Sequence, residues 1–381
     1  MNTAGYFDYN ATTPLDPRVL AEMMPFFTDR FANPSSAYRQ GCDVLGAIET
    51  ARRRVARLIN ADPSEILFTS GGTEADNLAI FGMARRHGQE GNHLITSAIE
   101  HKAVLNPCRQ LEKEGFALTV LPVDGSGLVD PDDLKRAINK DTFLISVMQA
   151  SNETGVIQPV RELATLAREH GVAFHTDSVQ TIGKIAVDTA ELGVDLLSLS
   201  AHKIYGPKGT GALYVRRDIA IAPLLYGGGQ ESKRRPGTEN VAGIVGLGKA
   251  AELCQNEMAA EAQRLREMRD RLQEEICECI PGTRVNGDPA LRVANTLNLS
   301  FPGCDGGVLV AFLDDSGLAL SSGSSCSAKS HAPSQVLLAM GRSKDEAIES
   351  LRISLGRFSS EQDLGNLLRE LPEAVRQLQP Q

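Results

Sequence analysis

The 381-residue chain lacks an excess of positive charge: 39 lysines and arginines stand against 48 aspartates and glutamates, for a net charge of −9. That balance argues against a broad electrostatic footprint for nucleic acid or acidic membrane, and neither is expected as a direct partner. The chain also lacks any run near the ~18 consecutive apolar residues of a membrane-spanning helix. Its best apolar run, Val308 to Leu313, is strand-sized. Residues 1–10 show no basic region followed by an apolar stretch, so no signal peptide is expected and a cytoplasmic location is. Internal repeats, low-complexity tracts and flexible linkers are missing too. Cysteine is sparse and odd in number, at seven. At least one thiol is therefore unpaired in any compartment. In a reducing one, a special cysteine is reactive or metal-bound rather than structural.

What is present is an ordinary globular composition, 42% hydrophobic and 23% charged. The length suggests two domains. Thirty-five glycines mark tight turns and close backbone approach to ligands. Val44, Ile48, Ala51, Val55 and Leu58 recur at helical spacing, and Ile66 to Thr69 then reads as a strand. Short apolar strands follow at His93–Ile99, Ala117–Val123, Phe143–Met148, Val172–His175, Leu196–Leu199 and Gly211–Val215. Helical stretches such as Val160–His170 lie between several of them. Continuous apolar strands alternating with helices indicate an α/β fold with a mostly parallel sheet covered on both faces. The pattern changes around Glu252, where an amphipathic helix follows with Leu265, Met268, Leu272 and Ile276 on one face. The expected division is a large domain over residues 14–255. A smaller α+β domain is built from residues 1–13 and 256–381.

Ligands of such sheets bind at the carboxyl ends of the strands. Four segments there carry chemistry: Ser70 to Glu74, Ser151 to Gly155, His175-Thr176-Asp177 and Ser200 to Lys203. The first is a strand, a Gly-Gly turn and a helix beginning at Thr73, the arrangement of an anion site; an ordinary strand-to-helix turn reads the same way. It is not a Walker A loop, because Gly183-Lys184 and Gly248-Lys249 precede Ile and Ala rather than Ser or Thr. No Gly-x-Gly-x-x-Gly follows the first strand. Asp177 and Lys203 each follow a strand end, 26 residues apart, a separation one crossover unit spans. A lysine flanked by Ser200 and His202 can condense with an aldehyde beside groups that hold a phosphate. A carboxylate on the neighbouring strand can keep a pyridine nitrogen protonated, making its ring an electron sink. Taken singly, the aspartate is more often a helix cap and the lysine a solvated surface residue. Together with a phosphate turn they favour pyridoxal phosphate.

These residues sit within a longer set of motifs. They are Phe7 to Pro14, Asn33 to Ser36, Phe68 to Asn77, Ser151 to Gly155, His175 to Asp177, Ser200 to Gly209, Arg234 to Asn240, Ser321 to Cys326, Pro333-Ser334 and Arg352 to Arg357. In this order, across almost the whole chain, they resemble the NifS/IscS-type cysteine desulfurases of the class-V aminotransferase family. The resemblance implies a fold-type I, aspartate-aminotransferase-like enzyme with a mostly parallel seven-stranded sheet. It implies pyridoxal 5'-phosphate as cofactor, L-cysteine as substrate and a homodimer. It makes Lys203 the Schiff-base lysine, Asp177 the partner of the ring nitrogen and Gln180 the partner of the ring hydroxyl. His101 would stack on the ring and shuttle protons, and Asn152 would face it. Gly72, Thr73, Ser200 and His202 would hold the phosphate, with Thr238 arriving from the second subunit. Arg352, aided by Asn33, would pair with the substrate carboxylate, a task that suits its planar fork.

Cys326 is then the nucleophile that takes sulfur as a persulfide. Its polar, glycine-containing surroundings, Ser321 to Ser330, are unlike those of a buried structural thiol, and Lys329 or His331 could lower its pKa. Cys277 and Cys279, two apart, share no helix face and have no further ligands nearby, so no metal is expected; iron or an iron–sulfur cluster would make contact only through Cys326. The other thiols read as bystanders. Departures from the family pattern are Tyr38 in place of histidine and the Ser325, Ala328 and Lys329 surroundings of the nucleophile. They bear on acceptor choice and rate. The sulfur would pass to an acceptor or cluster-scaffold protein, with iron–sulfur assembly the first expectation. The alternatives on the same fold are a selenocysteine lyase or another pyridoxal-phosphate lyase or aminotransferase. A hydrolase built from Ser178, His175 and Asp177 is disfavoured, because residues so close on one strand end cannot converge. A non-catalytic sulfur carrier would need no such lysine and aspartate.

Overall fold

The computed structural model describes residues 3–87, 91–322 and 332–379. Among the described residues, eleven strands form two sheets. In chain order they are β1 (Ile66–Thr69), β2 (His93–Ser97), β3 (Ala117–Leu121), β4 (Thr142–Ser146), β5 (Ala173–Asp177), β6 (Leu196–Ser200), β7 (Gly211–Val215), β8 (Arg284–Val285), β9 (Thr296–Ser300), β10 (Ser321–Ser322) and β11 (Ser350–Ser354). The larger sheet runs β1-β7-β6-β5-β4-β2-β3, and β7 alone is antiparallel to its neighbours. The smaller sheet, β10-β11-β9-β8, is antiparallel throughout. Except for the edge strand β3, the strands of the large sheet are buried along their whole length or nearly so, which is why they read as unbroken apolar runs.

One apolar core lies under helices Arg39–Leu58 and Val160–Glu169 on one face of the large sheet, and another under helix Gly72–His87 on the other face. A further core joins Phe7, the smaller sheet and the C-terminal helix Glu361–Leu378. The 39-residue helix Val241–Cys279 serves both regions: Ile244, Leu247 and Ala251 enter the first core, and Leu265, Leu272 and Ile276 enter that of the smaller sheet. This helix begins at Val241, well before the change of pattern at Glu252. Its first turns are small and apolar (Ala242, Gly243, Gly246, Gly248), and they pack closely against neighbours instead of showing an amphipathic face.

Val308 to Leu313 is not a strand but part of helix Gly306–Asp315. Asp305 caps it, accepting from the N–H groups of Gly307 at 2.8 Å and Val308 at 3.0 Å. Leu309 and Leu313, four apart, are buried while Val308 is 45% exposed, so the face repeats with the helical period. No helix among the described residues is long and apolar enough to cross a membrane.

Candidate active site

The carboxyl ends of β1, β2, β4, β5 and β6 meet the N-terminal segment and β11 around a cavity of about 360 Å³. Gly72, Thr73, His101, Asn152, Asp177, Gln180, Ser200, His202, Lys203 and Arg352 all line it. A larger cavity, about 690 Å³, lies between Leu45, Arg52 and the turn at Glu231, and has none of these groups in its wall. Chemistry, not volume, selects the smaller one.

β6 ends at Ser200, and a single 3-10 turn, Ala201–Lys203, carries the lysine into the cavity wall. Lys203 Nζ donates to the backbone carbonyl of Asn10, and to that of Ala11 at 2.8 Å. Its neighbour His202 contacts Thr12 Oγ1 through Nδ1 at 3.1 Å. Burial pushes the His202 imidazole down to about 4, helped by the charges of Lys203 and Lys208, so near neutral pH it is an uncharged hydrogen-bonding group.

Asp177 closes β5, and its Oδ1 accepts from Val179 N–H at 2.9 Å. Burial raises its pKa, while His101, Val179 N–H and Lys203 favour the charged form. Behind it Asp76 is fully buried, pushed well up by desolvation and next by the charge of Asp177. Of two carboxyls so placed, burial pushes Asp76 the further up, so Asp177, with its N–H donor, holds the charge and Asp76 the proton. His175, two residues before Asp177, holds Ser146 Oγ at 2.8 Å and Ser198 Oγ at 3.0 Å, with Asp76 Oδ1 3.6 Å away. Burial pushes this imidazole down to about 3. It does not bond Ser178, whose hydroxyl donates to Gln149 Oε1 at 2.7 Å, so the hydrolase arrangement is not formed.

His101 caps helix Lys102–Lys113, its Nδ1 accepting from Ala103 N–H at 3.1 Å, which leaves the proton of the neutral ring on Nε2. The preceding Glu100 is buried, with Oε1 bonded to Ser97 Oγ at 2.5 Å and to Met148 N–H at 2.8 Å; desolvation pushes it up to about 8. Arg352, on β11, is 1% exposed. Its guanidinium reaches Asp8 at 2.6 Å and the Asn152 carbonyl at 3.0 Å.

The site fits a phosphorylated pyridine aldehyde. Helix Gly72–His87 opens at the cavity. A side chain at Gly72 would bring Cβ to 2.8 Å from Val179 Cγ2, another residue of the cavity wall. Ser200 Oγ is buried and without a hydrogen-bond partner among the described residues. A hydroxyl in that state is unfavourable until an acceptor arrives. An amine, a buried carboxylate and an anion turn thus share one enclosure.

Two predicted residues are not brought to the cavity. Asn33 is exposed and accepts from Ser35 N–H at 2.9 Å, and Thr238 is exposed on a loop. Their chain neighbours Pro34 and Glu239 both border the larger cavity. Gln180 lines the site, but its amide is engaged by Asn10 and Lys184. Cys326, with Ser325, Ala328, Lys329 and His331, lies outside the described residues. Sequence reasoning gave no role to Asn10, Lys184, Asp76 or Glu100. Asn10 stood inside the Phe7 to Pro14 motif and Lys184 inside a failed Walker match, but neither pattern shows burial.

Residues 5–367 match the family model described as Aminotransferase class-V. The chain belongs to the class-V aminotransferase family. Within it, the chain is 49% identical over 378 residues to a protein of Dictyoglomus turgidum (strain DSM 6724 / Z-1310) named cysteine desulfurase IscS, covering 98% of this chain and 96% of that one. A solved structure described as a NifS-like protein superposes with a TM-score of 0.93 at 37% identity, covering 98% of this chain and all of the other. Another, described as SspA in complex with cysteine, superposes with a TM-score of 0.83 at 40% identity, over 93% of this chain and 100% of that one.

Proposed function

We propose that the chain is a pyridoxal-phosphate-dependent cysteine desulfurase that converts L-cysteine to L-alanine and passes the sulfur to Cys326. The observation that carries this reading is the gathering of Lys203, Asp177 and Arg352 around one cavity, in a chain alike over its full length to proteins named cysteine desulfurase. When bound, pyridoxal phosphate supplies an electron-withdrawing ring that stabilises negative charge at the substrate Cα.

The remaining work belongs to the chain. Gly72, Thr73, Ser200 and His202 hold the phosphate, with Thr238 of a second subunit completing the shell. Lys203 anchors the cofactor aldehyde and, when free, is the base for the Cα proton; His101 stacks and moves protons. Asp177 keeps the ring nitrogen protonated, Gln180 serves the ring hydroxyl and Asn152 faces the ring. Arg352, with Asn33, orients the substrate carboxylate. The Cys326 thiolate attacks the substrate sulfur. An S–S bond forms and the C–S bond breaks. The electron pair of that bond stays with carbon and takes up a proton, giving alanine and a persulfide.

The proposal includes a homodimer in the cytoplasm, divided into residues 14–255 and residues 1–13 with 256–381. It also includes delivery of sulfur to an acceptor or scaffold protein for iron–sulfur cluster assembly or a related route. Exposed Phe27, Phe31, Leu45, Leu225 and Tyr226 support a second copy, as does the placement of Asn33 and Thr238 away from the cavity of their own subunit. The test is product analysis of the loaded protein given L-cysteine and a thiol reductant, with L-selenocysteine in parallel. Equal amounts of alanine and sulfide, without keto acid, are expected. Keto acid without sulfide, or turnover of selenocysteine alone, would overturn the reading.

A further inference from the structure

The segment Ser151 to Gly155, beyond β4, folds into a tight turn. Ser151 Oγ accepts from the N–H groups of Glu153 at 3.2 Å and Thr154 at 3.3 Å, and Gly155 N–H returns to the Ser151 carbonyl at 2.9 Å. The smaller sheet rests on this turn. The Asn152 carbonyl accepts from Arg352 Nη1 at 3.0 Å and from Asn10 Nδ2 at 3.3 Å, and the Glu153 carbonyl accepts from Asn298 Nδ2 at 3.2 Å. Asn298 on β9 stands opposite Arg352 on β11 in the strand pairing. Glu153 is partly buried, and its Oε2 accepts from Ser334 Oγ. That hydroxyl in turn accepts from Leu337 N–H at 3.1 Å, capping helix Gln335–Ala339. One glutamate carboxyl group is thus fixed directly behind the residue whose carbonyl carries Arg352.

Arg352 already has one carboxylate on it, since Asp8 accepts from Nη2 at 2.6 Å. Among the described residues, the charges that bear on Glu153 are those of Arg352 on β11, Lys102 at the start of helix Lys102–Lys113 and His101 beside it. A substrate carboxylate seated on Arg352 would bring a third acid group to this side of the site. Three negative charges against the cations Arg352 and Lys102 leave an excess of one, where little water screens it. Glu153 can give way: burial pushes its pKa up to about 7, against the pull of Ser334, Arg352, Lys102 and His101. Arrival of another anion disfavours its charged form further. Proton and carboxylate then favour each other's binding, so a carboxylate is held more tightly on the acid side of about 7, where Glu153 carries its proton.

We propose that Glu153 is a positioning residue for the substrate carboxylate: held by Ser334 behind the Asn152 carbonyl, it shares Arg352 with the incoming carboxylate and takes a proton from solvent as that carboxylate binds. The proposal rests on the reading of Arg352 as the residue that pairs with the substrate carboxylate, since without that pairing no incoming charge reaches Glu153.

The experiment measures the dissociation constant of propionate for the cofactor-loaded protein by calorimetry, as a function of pH. Propionate offers a carboxylate and no other ionisable group. Glu153→Gln keeps the size of the side chain and an oxygen for Ser334, but does not titrate. The quantity read is the ratio of the wild-type constant to that of Glu153→Gln, in which groups common to both proteins cancel. That ratio should rise roughly tenfold from about pH 6 to about pH 8.5, the equivalent of one pKa unit of coupling. A purely structural role would change the ratio by the same factor at every pH; a ratio independent of pH, or one that falls, overturns the proposal. Ser334→Ala removes a donor that favours the charged form, so the pH at which propionate binding weakens should move upward. It replaces the glutamine variant if that chain does not fold, and an unmoved profile counts against the proposal equally. Arg352→Lys is the control for the underlying reading. If it binds propionate as tightly as the wild type, the assignment of Arg352 fails and the proposal falls with it. If it binds weakly while the Glu153→Gln ratio stays flat, the role of Glu153 alone is overturned.

Discussion

Among the described residues Arg352 is the largest of the fully buried side chains, yet its guanidinium is only partly engaged there: Asp8 and the Asn152 carbonyl take two of its nitrogens, and Nε has no partner among those residues. A buried guanidinium beside a cavity is positioned for a carboxylate, and Lys cannot reproduce its fork. Arg352→Lys should raise KM for L-cysteine by roughly 10- to 100-fold, the loss of one or two charged hydrogen bonds, while the visible band of bound cofactor remains. Steady-state kinetics with a spectrum of each preparation checks this.

Glu100 gives a prediction of a different kind. Its folded value near 8 stands above its ordinary 4.5, because burial disfavours the charge. Between these values the unfolded chain has lost the proton and the folded chain still holds it, so this residue makes stability fall as pH rises from about 4.5 to about 8. Glu100→Gln removes that dependence. Thermal melts should show the variant gaining on the wild type between pH 5 and pH 8, within that window; an unchanged difference would contradict the burial argument. Arg352 was legible in the sequence through the motif around it. Glu100 was not, because Ile99-Glu100-His101 says nothing about depth.

At the scale of elements, the strands were the most legible part. β1 and β7 lie where the apolar runs place them, and the other predicted strands of the large sheet differ by one or two residues at their ends. Strands buried along both faces have no alternation to misread. Val308 to Leu313 misled for the same reason: a short apolar run has no period of its own, and Asp305 with its two N–H partners decides for helix. The turn after β5 was legible only at Asp177. Its return depends on Gly183, which has φ +74° and would bring a Cβ to 2.8 Å from both Cys254 Sγ and Ile204 Cγ2. Gly183→Ala meets a disfavoured backbone region and a packed wall together, and should destabilise the chain by about 1–3 kcal/mol, read by denaturant unfolding.

At the scale of the molecule, two sheets and their cores meet along helix Val241–Cys279, and the site forms where the N-terminal segment and β11 reach the large sheet. Arg357 ties the regions together, bonding Asp16 at 2.8 Å and Glu261 at 2.9 Å while its guanidinium stacks 4.4 Å over the Tyr205 ring. Long-range closure of this kind, between residues 8 and 352 or 16 and 357, has no signature in local pattern. It became legible only through motifs shared along the whole chain. Asn33 and Thr238 show the same limit, since no local pattern says that both lie exposed and away from the cavity. The central claim concerns where the sulfur goes. Mass spectrometry of the loaded protein after a single exposure to L-cysteine should find one added sulfur atom on the peptide that contains Cys326, with an equal amount of alanine released, and Cys326→Ser should bind cofactor yet show neither. Alanine and sulfide formed at the wild-type rate by Cys326→Ser would contradict the account.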